Sequence, residues 1–313
     1  VLGAGCATAT VAPPSQDAQL ASSRAAACQL SDHFAVVDMV PAGTDSTALR
    51  ITHPDPISAT RRLNALWPAG PPPGVAGVTV VKPRPKLAIV LDDFGLHDDQ
   101  LKRVWALAEP FTYAILPGQT YSEGYARWLQ ARGASVLAHI PMEPEASGHM
   151  TLPGFLRADM SDAQRVSLLR QHLRSLPGAV GWNNHMGSRL TSNRNAVDAL
   201  VAATRTDEVV LDSRTSVQTA LEASARAHGR PAARRHLFID NERDVDKIRI
   251  QLNKALYVAR TRGKAVAIGH AYAETARALK AFVAKHGEEI QLVPIERVAS
   301  PRVPPGWVRA CKR

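Results

Sequence analysis

Six short apolar runs in this 313-residue chain end in residues that can hold a metal or move a proton. LAIVLDD ends in Asp92 and Asp93, SVLAHIPMEP carries His139 and Glu143, and AVGWNNHMGS carries His185. EVVLDSRTS carries Asp212, HLFIDNE carries Asp240, and AVAIGH ends in His270. Imidazole nitrogens and carboxylate oxygens ligate zinc and similar divalent ions at about 2.0–2.2 Å, and a histidine near its ordinary pKa serves as a general acid or base. His139 and Glu143 could chelate one cation from a single loop. His185 makes a similar case, with Asn183, Asn184 and Ser188 as polar neighbours able to orient its ring or meet a hydroxylated ligand. His270 suits a general acid. Asp212, Arg214 and Asp240 are candidates for groups that orient the histidines, with ordinary structural ion pairs as the competing reading. Adjacent strand residues point to opposite sides, so Asp92 and Asp93 are expected to divide, one toward a cation and the other toward substrate. Asp98 and Asp99, just downstream, read as a helix cap.

The elements that position these residues follow from the hydrophobic pattern. Continuous apolar runs are the signature of buried parallel strands, and groups at their C-terminal ends converge on one mouth in barrels of alternating strands and helices. Between Lys86 and about Arg297 strands alternate with amphipathic helices, with glycine ending helices at Gly133, Gly229, Gly263 and Gly287. This alternation predicts a parallel sheet of about seven or eight strands in a closed or nearly closed barrel. The first strand leads into D-D-F-G rather than a phosphate-cradling glycine fingerprint, which disfavours a nucleotide fold. His97, His149, His172, His228, His236 and His286 lie away from strand ends and are expected at the surface.

Residues 1–30 are rich in Ala, Ser, Thr and Gln without a periodic apolar pattern and read as a flexible tether. Residues 31–81 read as a small α+β module: strands at FAVVDMV, ALRITH and VAGVTVV and a helix at ISATRRLNALW, with His33 and His53 as surface residues. Residues 82–85 form a proline-rich linker, 86–298 the main domain and 299–313 a basic tail. The net charge of +10 suits anionic surfaces, but its scatter, with Arg302, Arg309, Lys312 and Arg313 in the tail, gives no basic helix or aromatic stripe of the nucleic-acid-binding kind. Nucleic acid is therefore not an expected partner. Cys6, Cys28 and Cys311 lie near the ends and form no zinc motif. Leu2-Gly3-Ala4-Gly5-Cys6 is compatible with the end of a cleaved lipoprotein leader, making Cys6 a candidate lipid anchor, against an ordinary disordered N-terminus. No apolar stretch approaches the roughly 18 residues of a membrane span.

From about Lys86 to Arg297 the words IVLDDFG, AILPG, HIPMEP, NNHMGSRLT, LDSRTS, FIDN and AIGH, in that order, resemble the divergent polysaccharide deacetylase family, a branch of the NodB-like polysaccharide deacetylases. The resemblance covers about two thirds of the chain. It implies an α/β fold, a NodB-like distorted (β/α)7-8 barrel, and says nothing of residues 1–85, where the small α+β module of residues 31–81 is a candidate for docking an envelope partner. It places the base on Asp92 and a metal ligand on Asp93. The superfamily's H-S/T-x-x-H word corresponds to His139-Ile140-Pro141-Met142-Glu143, so a glutamate stands where the second histidine is expected. Either Glu143 ligates, or His185 completes the site, or metal binding is weakened; His185 is favoured. The catalytic acid corresponds best to His270. The implied cofactor is one divalent metal, zinc first, with Mn, Co or Ni as alternatives. The implied activity is deacetylation of an N-acetylated or O-acetylated polysaccharide or peptidoglycan-like polymer in an extracytoplasmic, periplasmic or envelope setting; Trp182, Tyr113 and Tyr272 are candidate sugar platforms, with core filling as the equal alternative. A glycan-binding scaffold without catalysis and a hydrolase of another amide or ester are the rival readings.

Overall fold

The computed structural model describes residues 15–34, 37–42, 46–146 and 152–299. Cys6, Cys311, His149 and all of the basic tail after Ala299 lie outside them. The chain divides into two compact units between Pro83 and Arg84.

In the first unit, strands β1 (Val37–Pro41) and β2 (Thr47–Thr52) pair antiparallel, and β3 (Val75–Val81) joins β2 in parallel. Helix α2 (Pro56–Leu66) begins at Asp55, whose side chain accepts from Ser58 N. The expectation of a tether through residue 30 needs correction. Residues Gln16–Ser31 form a helix, α1, capped by Ser15. Ser23, Ala26 and Leu30, spaced i, i+3 and i+7, are buried, and Ala26 and Leu30 join a core with Phe34, Leu49, Ile51 and Leu63. A stripe of serine and alanine carries little hydrophobic contrast, and the periodicity was hidden for that reason.

The second unit is a curled parallel sheet under helices. Its strands are β4 (Lys86–Phe94), β5 (Thr112–Ile115), β6 (Ser135–Met142), β7 (Gly181–Met186), β8 (Val209–Asp212), β9 (Ala232–Arg234), β10 (Leu237–Phe238), β11 (Lys264–His270) and β12 (Gln291–Leu292). Among the described residues they run in the order β10-β11-β4-β5-β6-β7-β8-β9, with β12 on the lower part of β4, and all the pairings are parallel. The strands β9 and β10 at the two ends are not paired with each other, so the barrel is open there. The connecting helices are α3 (Gln100–Trp105), α4 (Ser122–Gln130), α5 (Asp162–Arg174), α6 (Arg194–Ala202), α7 (Leu221–Ala227), α8 (Val245–Arg262) and α9 (Ala273–His286), followed by a short α10 (Glu296–Ala299). Gly263 ends α8 in the left-handed region at φ 77°, whereas Gly287 after α9 has φ −59°, a conformation open to any residue.

Period-2 alternation sorts each strand into two faces. Leu87, Ile89 and Leu91 of β4, Val136, Ala138 and Ile140 of β6, and Trp182 of β7 pack with helix residues such as Leu101, Leu169 and Leu200. Ala88 and Val90 of β4, Leu137 of β6, Val209 and Leu211 of β8, and Val266 and Ile268 of β11 fill the interior with Val293, Ile295 and Val298. Trp182 and Tyr113 are fully buried on the helix side, with the Trp182 indole N–H donating to Thr204 Oγ1 at 3.1 Å. Both rings are packed in the core and neither is a sugar platform at the strand-end mouth.

Candidate functional site

The interior face continues upward from that core into polar residues. Asp92 follows Ala88 and Val90 on β4, His139 follows Leu137 on β6, Asn183 and His185 alternate on β7, and His270 follows Val266 and Ile268 on β11. Strand register sets Asp92 beside His270 and His139 beside Asn183. Alternation would send Asp93 to the helix side. Instead the β4–β5 register breaks between Leu91 and Phe94, and Asp93 adopts φ 63°. The break turns its carboxylate back, so Asp92 Oδ2 lies 3.5 Å and Asp93 Oδ1 3.2 Å from the same atom, His139 Nε2. Both carboxylates face one centre, contrary to the expectation that they divide. Gln100 holds the turn, accepting from Gly95 N and His97 N and donating to Asp93 O at 2.8 Å.

Asp93 Oδ1, His139 Nε2 and His185 Nδ1 form a triangle with edges of 3.2, 2.9 and 3.2 Å. Ligand atoms around an ion with bonds of about 2.0–2.2 Å stand roughly 2.8–3.6 Å apart, so the triangle matches a face of such a coordination shell. Asp93 Oδ1 is also buried with no N–H directed at it. A buried acceptor without a donor needs an explanation, and a shared cation supplies one. His139 Nδ1 lies 2.9 Å from Asn183 Oδ1, and the Asn183 amide is fixed by donating to Asp92 Oδ1 and Ser213 Oγ, both at 3.1 Å. The asparagine oxygen therefore accepts the Nδ1 proton and leaves the His139 Nε2 lone pair facing the triangle. The donor set of two imidazoles and one carboxylate suits a divalent transition ion.

Electrostatics divide the two aspartates. Burial alone would raise the Asp93 pKa, but His139 and His185 outweigh it and hold the carboxyl well below its ordinary range. Burial prevails at Asp92 and raises its pKa, opposed by the charges of His139 and His270. For His139, burial opposes the charged form, yet Asp92 and Asp93 raise its pKa.

His270 faces Asp93 from the opposite side, Nε2 to Oδ2, at 3.6 Å. Its Nδ1 lies 3.0 Å from Asp240 Oδ1, while Asp240 Oδ2 accepts from His270 N at 2.6 Å and from Thr275 Oγ1 at 2.8 Å. Burial works against protonation, but the Asp240 hydrogen bond and charge, with those of Asp93 and Asp92, raise the His270 pKa to about 9.

The sequence profile described as "Divergent polysaccharide deacetylase" matches residues 89–299. The chain belongs to the divergent polysaccharide deacetylase family. An uncharacterized Escherichia coli protein, YibQ, is 34% identical over 209 residues, covering 66% of this chain and 65% of YibQ. An uncharacterized protein of Haemophilus influenzae is 32% identical over 212 residues, covering 66% of this chain and 74% of that protein. The fold is shared with an uncharacterized protein from Agrobacterium tumefaciens, at a TM-score of 0.64 and 20% identity over 69% of this chain and 89% of that one.

In this deacetylase-family barrel the remaining candidates stand apart from the triangle. Glu143 is engaged on both oxygens, Oε1 with Arg189 Nη1 at 3.1 Å and Oε2 accepting from Ala158 N at 2.6 Å, so it ties loops together. Asp212 shares the parity of Val210 and points to the helix side, where it accepts from Arg214 N, Thr219 Oγ1 and Glu222 N. It orders the loop after β8 and touches no histidine among the described residues. Asn184 donates to Met186 O and Thr215 Oγ1 and accepts from Ser213 N, stitching the exits of β7 and β8 together. Ser188 accepts from Glu145 N. Arg214 sits at φ 49° and offers its carbonyl to Arg235. Tyr272 stacks on His270 with centroids 5.2 Å apart and carries the Arg243 guanidinium over its ring at 3.7 Å. His172, expected at the surface, is buried against Gly154 O at 2.8 Å, and burial lowers its pKa; His236 is half-buried.

Two contributors, Thr275 and Arg235, were not singled out by the sequence, and a third, Asn183, was expected beside His185 but serves His139. Asn183 orients His139, and Thr275 supports Asp240. Arg235 braces the β8 loop through Ser213 O and Arg214 O while stacking on Phe238 at 3.7 Å. Asn183 had a readable signal, because it lies two residues before His185 and must share its face.

Gly269 makes the Asp240–His270 contact feasible. A Cβ there would lie 2.7 Å from Ile239 Cγ1 and 3.0 Å from Asp240 Oδ2. Gly269→Ala is expected to cost about 1–3 kcal/mol by overpacking and to loosen the pair. Denaturant titration checks this, and an unchanged midpoint would refute it.

Proposed function

We propose that this centre hydrolyses acetyl groups, N-linked first and O-linked as the variant, from an envelope polysaccharide. Asp93, His139 and His185 would hold one divalent cation, with zinc first and Mn, Co or Ni as alternatives. The observation that carries the reading is their three-atom triangle with Asp92 and His270 on its flanks. When bound, such a cation supplies Lewis acidity to an acyl oxygen and makes water a better nucleophile near neutral pH.

The chain's own groups complete the reaction. Asp92 Oδ1 is committed to Asn183, so Oδ2 is the oxygen that receives the proton of the attacking water. His270 is anchored through Nδ1 to Asp240, which leaves Nε2 facing the centre with a proton to deliver. That proton goes to the departing sugar nitrogen as the C–N bond breaks and the new C–O bond forms, giving acetate and a free amine. Asn183 and Asp240 set the tautomers on which both transfers depend.

The test is acetate release from N-acetylated oligosaccharides and peptidoglycan fragments by metal-loaded protein. Asp92→Asn and His270→Ala are each expected to lower the rate at least about 100-fold, within the range of general acid–base contributions. No acetate from the metal-loaded wild type on any member of the panel would overturn the hydrolase reading and leave glycan binding without turnover.

A further inference from the structure

At the other end of the same sheet, where β5 and β6 begin and α3 and α4 finish, lies a cavity of about 410 Å³. Its lining includes Trp105, Phe111 and Tyr113, with Glu109, Arg132 and Glu296 as charged members. Tyr113 is 1% exposed and its ring packs edge-on to Phe94, yet its hydroxyl has no hydrogen-bond partner among the described residues. Glu109 likewise has neither a hydrogen bond to its carboxylate nor an ion pair among those residues, and burial raises its pKa. A buried phenol is normally satisfied, so the Tyr113 hydroxyl, opening on a cavity that the half-exposed Glu109 also lines, points to a ligand.

The lining narrows the ligand's chemistry. Trp105 is half-buried, with its ring 4.7 Å from that of Trp128 and 6.2 Å from that of the buried Tyr113, and it offers the cavity its apolar aromatic surface. Arg132 is drawn over Trp128 at 3.9 Å and donates to Trp128 O. Glu296 accepts from Ser135 Oγ at 2.8 Å. Two carboxylates against one guanidinium disfavour an anion. What fits is an uncharged ring with an apolar C–H face and a rim of hydroxyls, the face against Trp105 and the hydroxyls to Tyr113 Oη and Glu109.

We propose that this cavity binds a neutral sugar ring and is a second glycan site, separate from the strand-end centre. The choice of a sugar among uncharged rings rests on the polysaccharide reading above. The separation rests on the fold alone. Ser135, at the cavity, and His139, at the centre, lie four residues apart on β6, about 13 Å at roughly 3.3 Å per residue, and the packed interior lies between the two ends.

Cellotriose and triacetylchitotriose are the probes, titrated by calorimetry against the full chain in chelator, with tryptophan fluorescence reporting on Trp105. Binding is expected to survive His139→Ala, to weaken tenfold or more in Trp105→Ala, and to weaken about three- to tenfold in Tyr113→Phe. Glu109→Gln serves as the second variant if Trp105→Ala fails to fold. Absence of binding at millimolar sugar would overturn the proposal. So would binding that is lost in His139→Ala but indifferent to Trp105, Tyr113 and Glu109, because the sugar would then sit only at the centre. Trp105-dependent binding without acetate release would uphold the second site while the hydrolase reading failed.

Discussion

His139→Ala and His185→Ala are each expected to reduce bound divalent metal from about one ion per chain to nearly none, measured by elemental analysis after dialysis against trace zinc. Each substitution removes one corner of the triangle and leaves two donors, too few to hold an ion against water. Asn183→Ala should weaken affinity by about 10- to 100-fold, because the His139 ring would lose the partner that fixes its tautomer. Glu143→Gln is the control that separates the two ligand sets open at the level of sequence. Its oxygens are occupied by Arg189 and Ala158, so metal content should be unchanged while the loop around residues 156–158 loosens. Retention of metal by His185→Ala together with loss in Glu143→Gln would reverse the assignment. Equal and negligible metal in wild type and all variants would end the metal reading.

The contrast between Glu143 and His185 shows what a sequence carries and what it does not. Apolar runs ending in Asp92, His139, His185 and His270 were readable because a strand buried on both faces has to be apolar until it reaches the mouth. Strand parity was also readable: it puts Asn183, named as a neighbour of His185, on the same face, where it reaches His139. Parity puts Asp212 with Val210, but which of those faces looks at the helices is decided by the sheet, and the sequence leaves that open. The bulge at Asp93 was not readable at all. No residue type demands φ 63° there; the turn is imposed by the register break and by Gln100 on the Asp93 carbonyl. The short strand β9 and helix α1 escaped for a related reason. Three residues are too few to show alternation, and a face built from serine and alanine declares itself only when a sheet covers it.

Asp240→Asn is expected to lower the His270 pKa from about 9 to its ordinary value of 6.5 or below, followed by NMR of the imidazole C–H signals in chelator. The direction follows from the balance of causes. Burial disfavours imidazolium throughout, and the Asp240 carboxylate is the largest influence opposing it; an amide keeps a hydrogen-bonding oxygen but removes the charge. The same shift predicts how stability depends on pH. A histidine whose pKa is raised by folding binds its proton more tightly in the folded state, so its contribution is complete below about pH 6.5 and disappears as pH rises through about 9. The wild-type advantage attributable to this pair is on the order of 3 kcal/mol at pH 6, and denaturant titrations should find it largely gone by pH 10. In Asp240→Asn the pH-dependent part should vanish, leaving a constant deficit from the weakened bonds to His270 N and Thr275 Oγ1. A His270 signal that titrates alike in both proteins would show that Asp240 does not set its protonation, and the proton delivery assigned to Nε2 would then lose its physical basis.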